Sequence, residues 1–154
     1  MSHEVEIGRG KRGRRAYTLD DIALVPARRT RDPEDVNVGW QIDAYHVDLP
    51  LMAAPMDSVM SPETAISFGR LGGIGVLDLD GLWTRYEDPE PILDQIAHLG
   101  EEESIATLQR VYSEPIKPTL ITERLTQLRE AGVVVAGKLS PQRVQQHWRA
   151  VVDA

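Results

Sequence analysis

Two short apolar runs, each followed within a few residues by Ser-Pro and an amphipathic stretch, constrain the fold of this chain most. In the first, Leu49-Pro50-Leu51-Met52-Ala53-Ala54 suits a strand buried on both faces, and Ser61-Pro62-Glu63 opens a helix after the loop 55–60. Ser caps free N–H groups, Pro loses no bond at the first helical position, and the acid meets the positive end of the helix dipole. The helix pattern covers 64–71 and stops at Gly72-Gly73. The second copy has Val133-Val134-Val135-Ala136 as strand, Ser140-Pro141-Gln142 as helix start, and a helix over 143–152 with Val144, Trp148 and Val151 on one side.

Between the copies, Ile74-Gly75-Val76-Leu77 reads as a further buried strand, followed by a solvated turn at Asp78-Leu79-Asp80-Gly81. Helical patterns follow near 91–99, 104–112 and 119–131, with Glu101-Glu102-Glu103 a solvated helix start. This alternation predicts parallel strands at 51–54, 74–77 and 133–136, adjacent in that order. Residues 84–131 exceed one crossover and read as an elaborated helical region after the second strand. A complete small doubly wound domain, with helices on both sheet faces, is the structural alternative. Gly72-Gly73-Ile74-Gly75 precedes a strand instead of following one, so it is not a phosphate cradle.

Composition narrows the class. With 154 residues, 42% hydrophobic and 27% charged, the chain is expected to be a soluble single domain, and no apolar run approaches the ~20 residues of a membrane span. Met1-Ser2-His3-Glu4 is not expected to begin a secretory leader, and the absence of cysteine excludes disulfides, thiolate metal sites and a thiol nucleophile within these residues. A cytoplasmic location is expected. The four histidines, His3, His46, His98 and His147, lack metal-ligand spacing, so no metal site is expected. Net charge is −7, yet residues 1–31 carry eight basic side chains against four acids, leaving nine against twenty in the rest. We read 1–16 as a basic flexible arm and 17–154 as the folded body. The arm, rich in basic residues from Arg9 to Arg15, keeps nucleic-acid association as a minor alternative.

The string Pro50-Leu51-Met52-Ala53-Ala54-Pro55-Met56-Asp57-Ser58-Val59, with Ala65-Ile66 and Gly72-Gly73-Ile74-Gly75-Val76-Leu77 at its spacing, resembles the first two βα units of the IMP dehydrogenase/GMP reductase family. Tyr17-Thr18-Leu19-Asp20-Asp21-Ile22-Ala23-Leu24-Val25-Pro26 resembles the segment that precedes that family's barrel. Tyr86-Glu87-Asp88-Pro89 and Leu139-Ser140-Pro141-Gln142-Arg143 look like an actinobacterial branch related to IMP dehydrogenases. The resemblance implies the N-terminal part of a (β/α)8 barrel, with about three βα units present, against ~250 residues for a complete barrel. It further implies that the tandem regulatory insertion of IMP dehydrogenases is missing.

By the same resemblance, the loop after the first strand lies beside a purine nucleotide. Met56 would pack on the base or ribose, Asp57 would organise the loop, and Ala54 would stand where many relatives have a nucleotide-contacting Ser. Asp78 stands where many members have His, and Leu79 where GMP reductases have a cofactor-side Lys. Thr30 and Arg31 match a cofactor-contacting pair of GMP reductases, the cofactor being NAD or NADP. The implied activity is oxidation of IMP to XMP with NAD, or alternatively reduction of GMP to IMP with NADPH, in a homo-oligomer, a tetramer by resemblance. The family's cysteine nucleophile and phosphate anchor lie on later loops, so no catalytic residue is expected in this chain and it is expected to be inactive alone. A non-catalytic protein that pairs through exposed strand edges is the remaining alternative.

Overall fold

A computed structural model describes residues 4–25 and 31–154. Their contacts fall into two units, Met1–Asn37 and Val38–Ala154.

In the first unit, within the segment read as a basic arm, β1 (Glu4–Glu6) pairs antiparallel with β2 (Arg12–Arg14). The register sets Glu4 opposite Arg14 and Glu6 opposite Arg12, so acids and arginines alternate on one face of the ribbon. Gly8 and Gly10 take positive φ in the connection, a conformation that suits glycine. Across the ribbon the Arg12 guanidinium donates to the Glu4 carboxylate at 3.4 Å. Further on, the Thr18 N–H and O–H both donate to the Asp21 carboxylate at 2.9 Å, closing a single 3-10 turn over Leu19–Asp21.

The second unit opens with a hairpin absent from the sequence reading, β3 (Trp40–Ile42) against β4 (Tyr45–Val47), turned at Asp43 with φ 49°. Its core is a three-stranded parallel sheet in the order β5 (Met52–Ala53), β6 (Ile74–Asp78), β7 (Ala136–Lys138). The predicted order and direction hold. The third strand does not lie at 133–136, however, but pairs Ala136, Leu77's partner Gly137, and Lys138 with the end of β6. The helix before it explains the displacement. After α4 (Pro118–Glu130), Gly132 takes φ 73°, its N–H donates to the Arg129 carbonyl, and the Val133 N–H reaches back to Leu128. Val133 is thus part of the helix stop, and the β-branched run is spent on leaving the helix.

Helix α1 (Pro62–Arg70) begins as expected, with the Thr64 N–H donating to the Ser61 hydroxyl at 3.0 Å, and it ends in the same type of stop at Gly72 and Gly73. Helix α5 (Pro141–Val152) begins after Ser140, but that side chain makes no cap bond; its N–H donates to Asp80 instead. Gly75, Leu77 and Leu79 alternate toward the helices. A Cβ on Gly75 would lie 2.6 Å from the Ala65 Cα, so α1 rests directly on β6. Leu77 and Leu79 share one buried cluster with Ile121, Leu125 and Leu128 of α4, joined by Ala150 and Val151 of α5. The remaining helices, α2 (Glu90–Ala97) and α3 (Glu101–Val111), form a pair beyond the end of β6.

Candidate nucleotide-side pocket at the strand ends

Parallel strands direct their C-terminal ends, and the loops that follow, toward one edge of the sheet, where ligands collect in such folds. Here the loop 55–58 after β5 and the turn 78–82 after β6 meet at that edge, and both border a cavity of about 330 Å³. Pro55, Met56, Asp57 and Ser58 form one wall, with Asp78 and Leu82 beneath. Leu93 and Ile96 of α2, with Leu108 and Tyr112 from the end of α3, form the other wall. The size is at the small end of the range typical of ligand sites, about 300–1,000 Å³.

Asp57 organises this meeting point. Its Oδ2 accepts from the Leu82 N–H at 2.9 Å and from the Tyr112 O–H at 2.6 Å. Leu82 starts a 3-10 turn, Leu82–Thr84, whose cap residue is Gly81 and has no side chain to offer. The carboxylate of a residue 25 positions earlier therefore supplies the missing acceptor. Gly81 makes this possible, because a Cβ there would collide with the Asp57 carboxylate. Asp57 does not cap a turn of its own loop; that loop is closed by backbone bonds from Val59 and Met60 to the Met56 carbonyl. Burial raises the Asp57 carboxyl above its ordinary value, with the bonds from Tyr112 and Leu82 pulling the other way. Burial and the Asp57 acceptor together raise the Tyr112 phenol.

Met56 is half exposed, at 49%, and lines the cavity, whereas Met60 four residues on is the core methionine at 2%. Ala54 is exposed at the end of β5. Arg31 is exposed and belongs to the first unit, and Thr30 lies outside the described residues.

Asp78 and Asp80, expected as a solvated turn, are instead largely covered and tie the second strand to the third. Lys138 Nζ sits 3.2 Å from Asp78 and 3.4 Å from Asp80, and Asp80 also accepts from the Ser140 N–H at 2.7 Å. Burial opposes the Lys138 charge, but the two carboxylates outweigh it and raise the ammonium. Arg85, almost buried, donates to the Asp80 and Glu114 carbonyls and lies over the Tyr112 ring, joining the turn after β6 to the segment after α3. Sequence reading missed Tyr112, Arg85 and Lys138, because the contacts that join them to other elements span distant parts of the chain; the sole local signal was Gly81, a glycine where the backbone is approached closely. Among the described residues no cluster of His, Cys, Asp and Glu could hold a metal ion, and no helix is long and apolar enough to cross a membrane.

Parallel βα units with a pocket at their strand ends define an α/β protein. The chain belongs to the IMP dehydrogenase / GMP reductase family, whose domain model matches residues 16–153. It is 43% identical over 97% of its length to an uncharacterized oxidoreductase of Mycolicibacterium smegmatis, and 42% identical over 92% to one of Mycobacterium tuberculosis. An inosine-5'-monophosphate dehydrogenase of Methanocaldococcus jannaschii is 39% identical over 64 residues, or 42% of this chain and 13% of that protein. The crystal structure of an IMP dehydrogenase/GMP reductase-like protein from Corynebacterium glutamicum superposes with a TM-score of 0.81 at 41% identity, covering 97% of this chain and 41% of that one. The chain spans about two fifths of the length of the full-coverage relatives.

Proposed function

We propose that this chain supplies one wall of the nucleotide pocket of a purine-nucleotide oxidoreductase, one that oxidises IMP to XMP with NAD. In this reading β5, β6 and β7 are the first three strands of a (β/α)8 barrel, without the tandem regulatory insertion, in a homo-oligomer. The observation that carries it is the Met56–Asp57 loop, part of the family's motif, opening at the strand ends onto a cavity lined mainly by apolar side chains. Met56 offers a flexible apolar surface to a planar base and Asp57 holds the loop's shape, whereas Ala54, which does not line the cavity, is proposed on the nucleotide side by resemblance alone.

Two carboxylates, Asp57 and Asp78, border this cavity, and among the described residues neither Lys nor Arg lines it. That lining suits an uncharged heterocycle presenting N–H donors. It does not fit the pyrophosphate of NAD or NADP, which the carboxylates would repel. Thr30 and Arg31 are proposed on the cofactor side by resemblance alone. NAD, when bound, would serve as the hydride acceptor for oxidation at C2 of the purine, with water giving the new oxygen and a proton released. The residues of this chain contribute by seating the base and excluding solvent from one side.

The acceptors that suit an N–H of IMP would equally receive the exocyclic amine of GMP, so reduction of GMP to IMP with NADPH is the second reading. Assaying the full-length protein with IMP plus NAD and with GMP plus NADPH separates the two. Turnover of neither pair, together with calorimetry showing no binding of IMP or GMP, would sink both.

A further inference from the structure

Helices α2 and α3 come from the part of the chain that exceeds a simple crossover, and the fold alone gives them no task. They nevertheless reach the pocket. Leu93, Ile96 and Leu108 form its outer wall, and Tyr112, just past α3, ends that wall at the Asp57 carboxylate. A second hollow of about 320 Å³ lies between α2 and the same loop, bordered by Asp57, Ser58 and Asp94. Further contacts join the end of this helix pair to the segment after β6: the Tyr86 O–H donates to the Val111 carbonyl at 3.0 Å, and Arg85 donates to the Glu114 carbonyl and lies over the Tyr112 ring.

We propose that Tyr112 is a positioning residue for the ligand loop: its 2.6 Å hydrogen bond to Asp57 sets the conformation of 55–58 and fastens the α2–α3 wall against it. Asp57 can hold two donors on one oxygen, Leu82 N–H from beneath and Tyr112 O–H from above, only while the loop keeps its present shape. The pair therefore links the face that bears Met56 to the wall opposite. Other charged groups near Asp57 are Asp78 at the end of β6, Arg85 after the 3-10 turn, and Asp94 on α2. None of these replaces the phenol as a donor to Asp57. Loss of that donor leaves burial and Asp78 to raise the carboxyl further, so a Tyr112→Phe protein should protonate Asp57 at higher pH.

This inference rests on the nucleotide reading for its ligand, but not for its geometry, and the test keeps the two apart. Tyr112→Phe retains the ring that packs in the wall and removes only the donor. In the full-length protein we expect the Leu82 amide to exchange roughly tenfold faster, with the amides of β6 unchanged. We expect IMP or GMP affinity to fall roughly tenfold, and the acid limit of binding to move to higher pH. Unchanged exchange at Leu82 overturns the proposal, as does faster exchange with unchanged affinity and pH limit. Protection lost equally throughout the sheet also overturns it, because Tyr112 would then be a general stabiliser. If the wild-type protein binds neither nucleotide, the proposed function fails and Leu82 exchange alone decides the role of Tyr112.

Discussion

Asp57 shows how one side chain can serve two loops and a helix end. Its neighbour Met56 is half exposed beside the cavity, so truncation should affect ligand more than fold. Met56→Ala should weaken nucleotide binding by about 1–3 kcal/mol, tenfold or more, while the apo melting temperature changes little. A large fall in apo melting temperature with unchanged affinity would make Met56 a core residue and remove it from the site. Gly81 is the complementary case. A Cβ there strikes the Asp57 carboxylate, so Gly81→Ala should cost about 1–3 kcal/mol in denaturant unfolding and weaken binding as well. Asp57 also has a pH signature. Its carboxyl is raised in the folded chain, so the folded state is favoured below the unfolded value of 3.8, and that advantage disappears as pH rises through the folded value. Asp57→Asn should flatten this part of the stability–pH curve; a curve with the same slope as wild type would show that Asp57 titrates normally.

Helix α1 is seated on the sheet by close backbone approach. Helix α1 meets β6 where Gly75 faces Ala65, whose Cα, Cβ and carbonyl all lie within 3.0 Å of the position a Cβ would take. The nearest of these atoms, the Ala65 Cα, is helix backbone, so relief requires moving a helix. Gly75→Ala should therefore destabilise by about 1–3 kcal/mol in chemical denaturation. A stable, well-folded Gly75→Ala protein would mean that α1 is not seated on β6 as described. Glycine at this position was read from sequence only as part of a motif. The motif matched, but the reason for glycine, a strand that touches its crossover helix, belongs to the packed structure.

At the scale of the molecule, acid sensitivity and activity can be foreseen. His147 of α5 is 3% exposed, and neither ring nitrogen has a hydrogen-bond partner among the described residues. Burial and Arg143 lower its ionisation below the ordinary value of 6.5, with Asp80 opposing. The stability that comes from keeping it neutral is present above pH 6.5 and is lost as pH falls toward the lowered folded value. Wild type should thus lose melting temperature between neutral and mildly acid pH, and His147→Leu should lose less; equal losses would show another group to be responsible. The 154-residue chain by itself contains no cysteine, and we expect no turnover of IMP with NAD or of GMP with NADPH. Turnover above a no-enzyme control would show that the chemistry runs without a thiol.

Periodicity and helix punctuation are local, and they were legible. The strand-to-helix repeat around Ser61-Pro62, the stop at Gly72-Gly73 and the buried run 74–77 foretold the parallel order of β5, β6 and β7, because burial on two faces and a capped helix start are written in adjacent residues. The motif at 50–59 likewise pointed to the family that the domain model matches. Four features escaped local reading: the hairpins of β1–β2 and β3–β4, the displacement of β7 to Ala136–Lys138, the use of Ser140 as a partner for Asp80, and the bond from Tyr112 to Asp57 across 55 positions. Val133 could read as strand because β-branching favours strands, yet it was needed to end α4; competition between two local preferences is settled by which one packs. The Asp57 pair depends on where two distant loops meet, and only the closed chain brings them together.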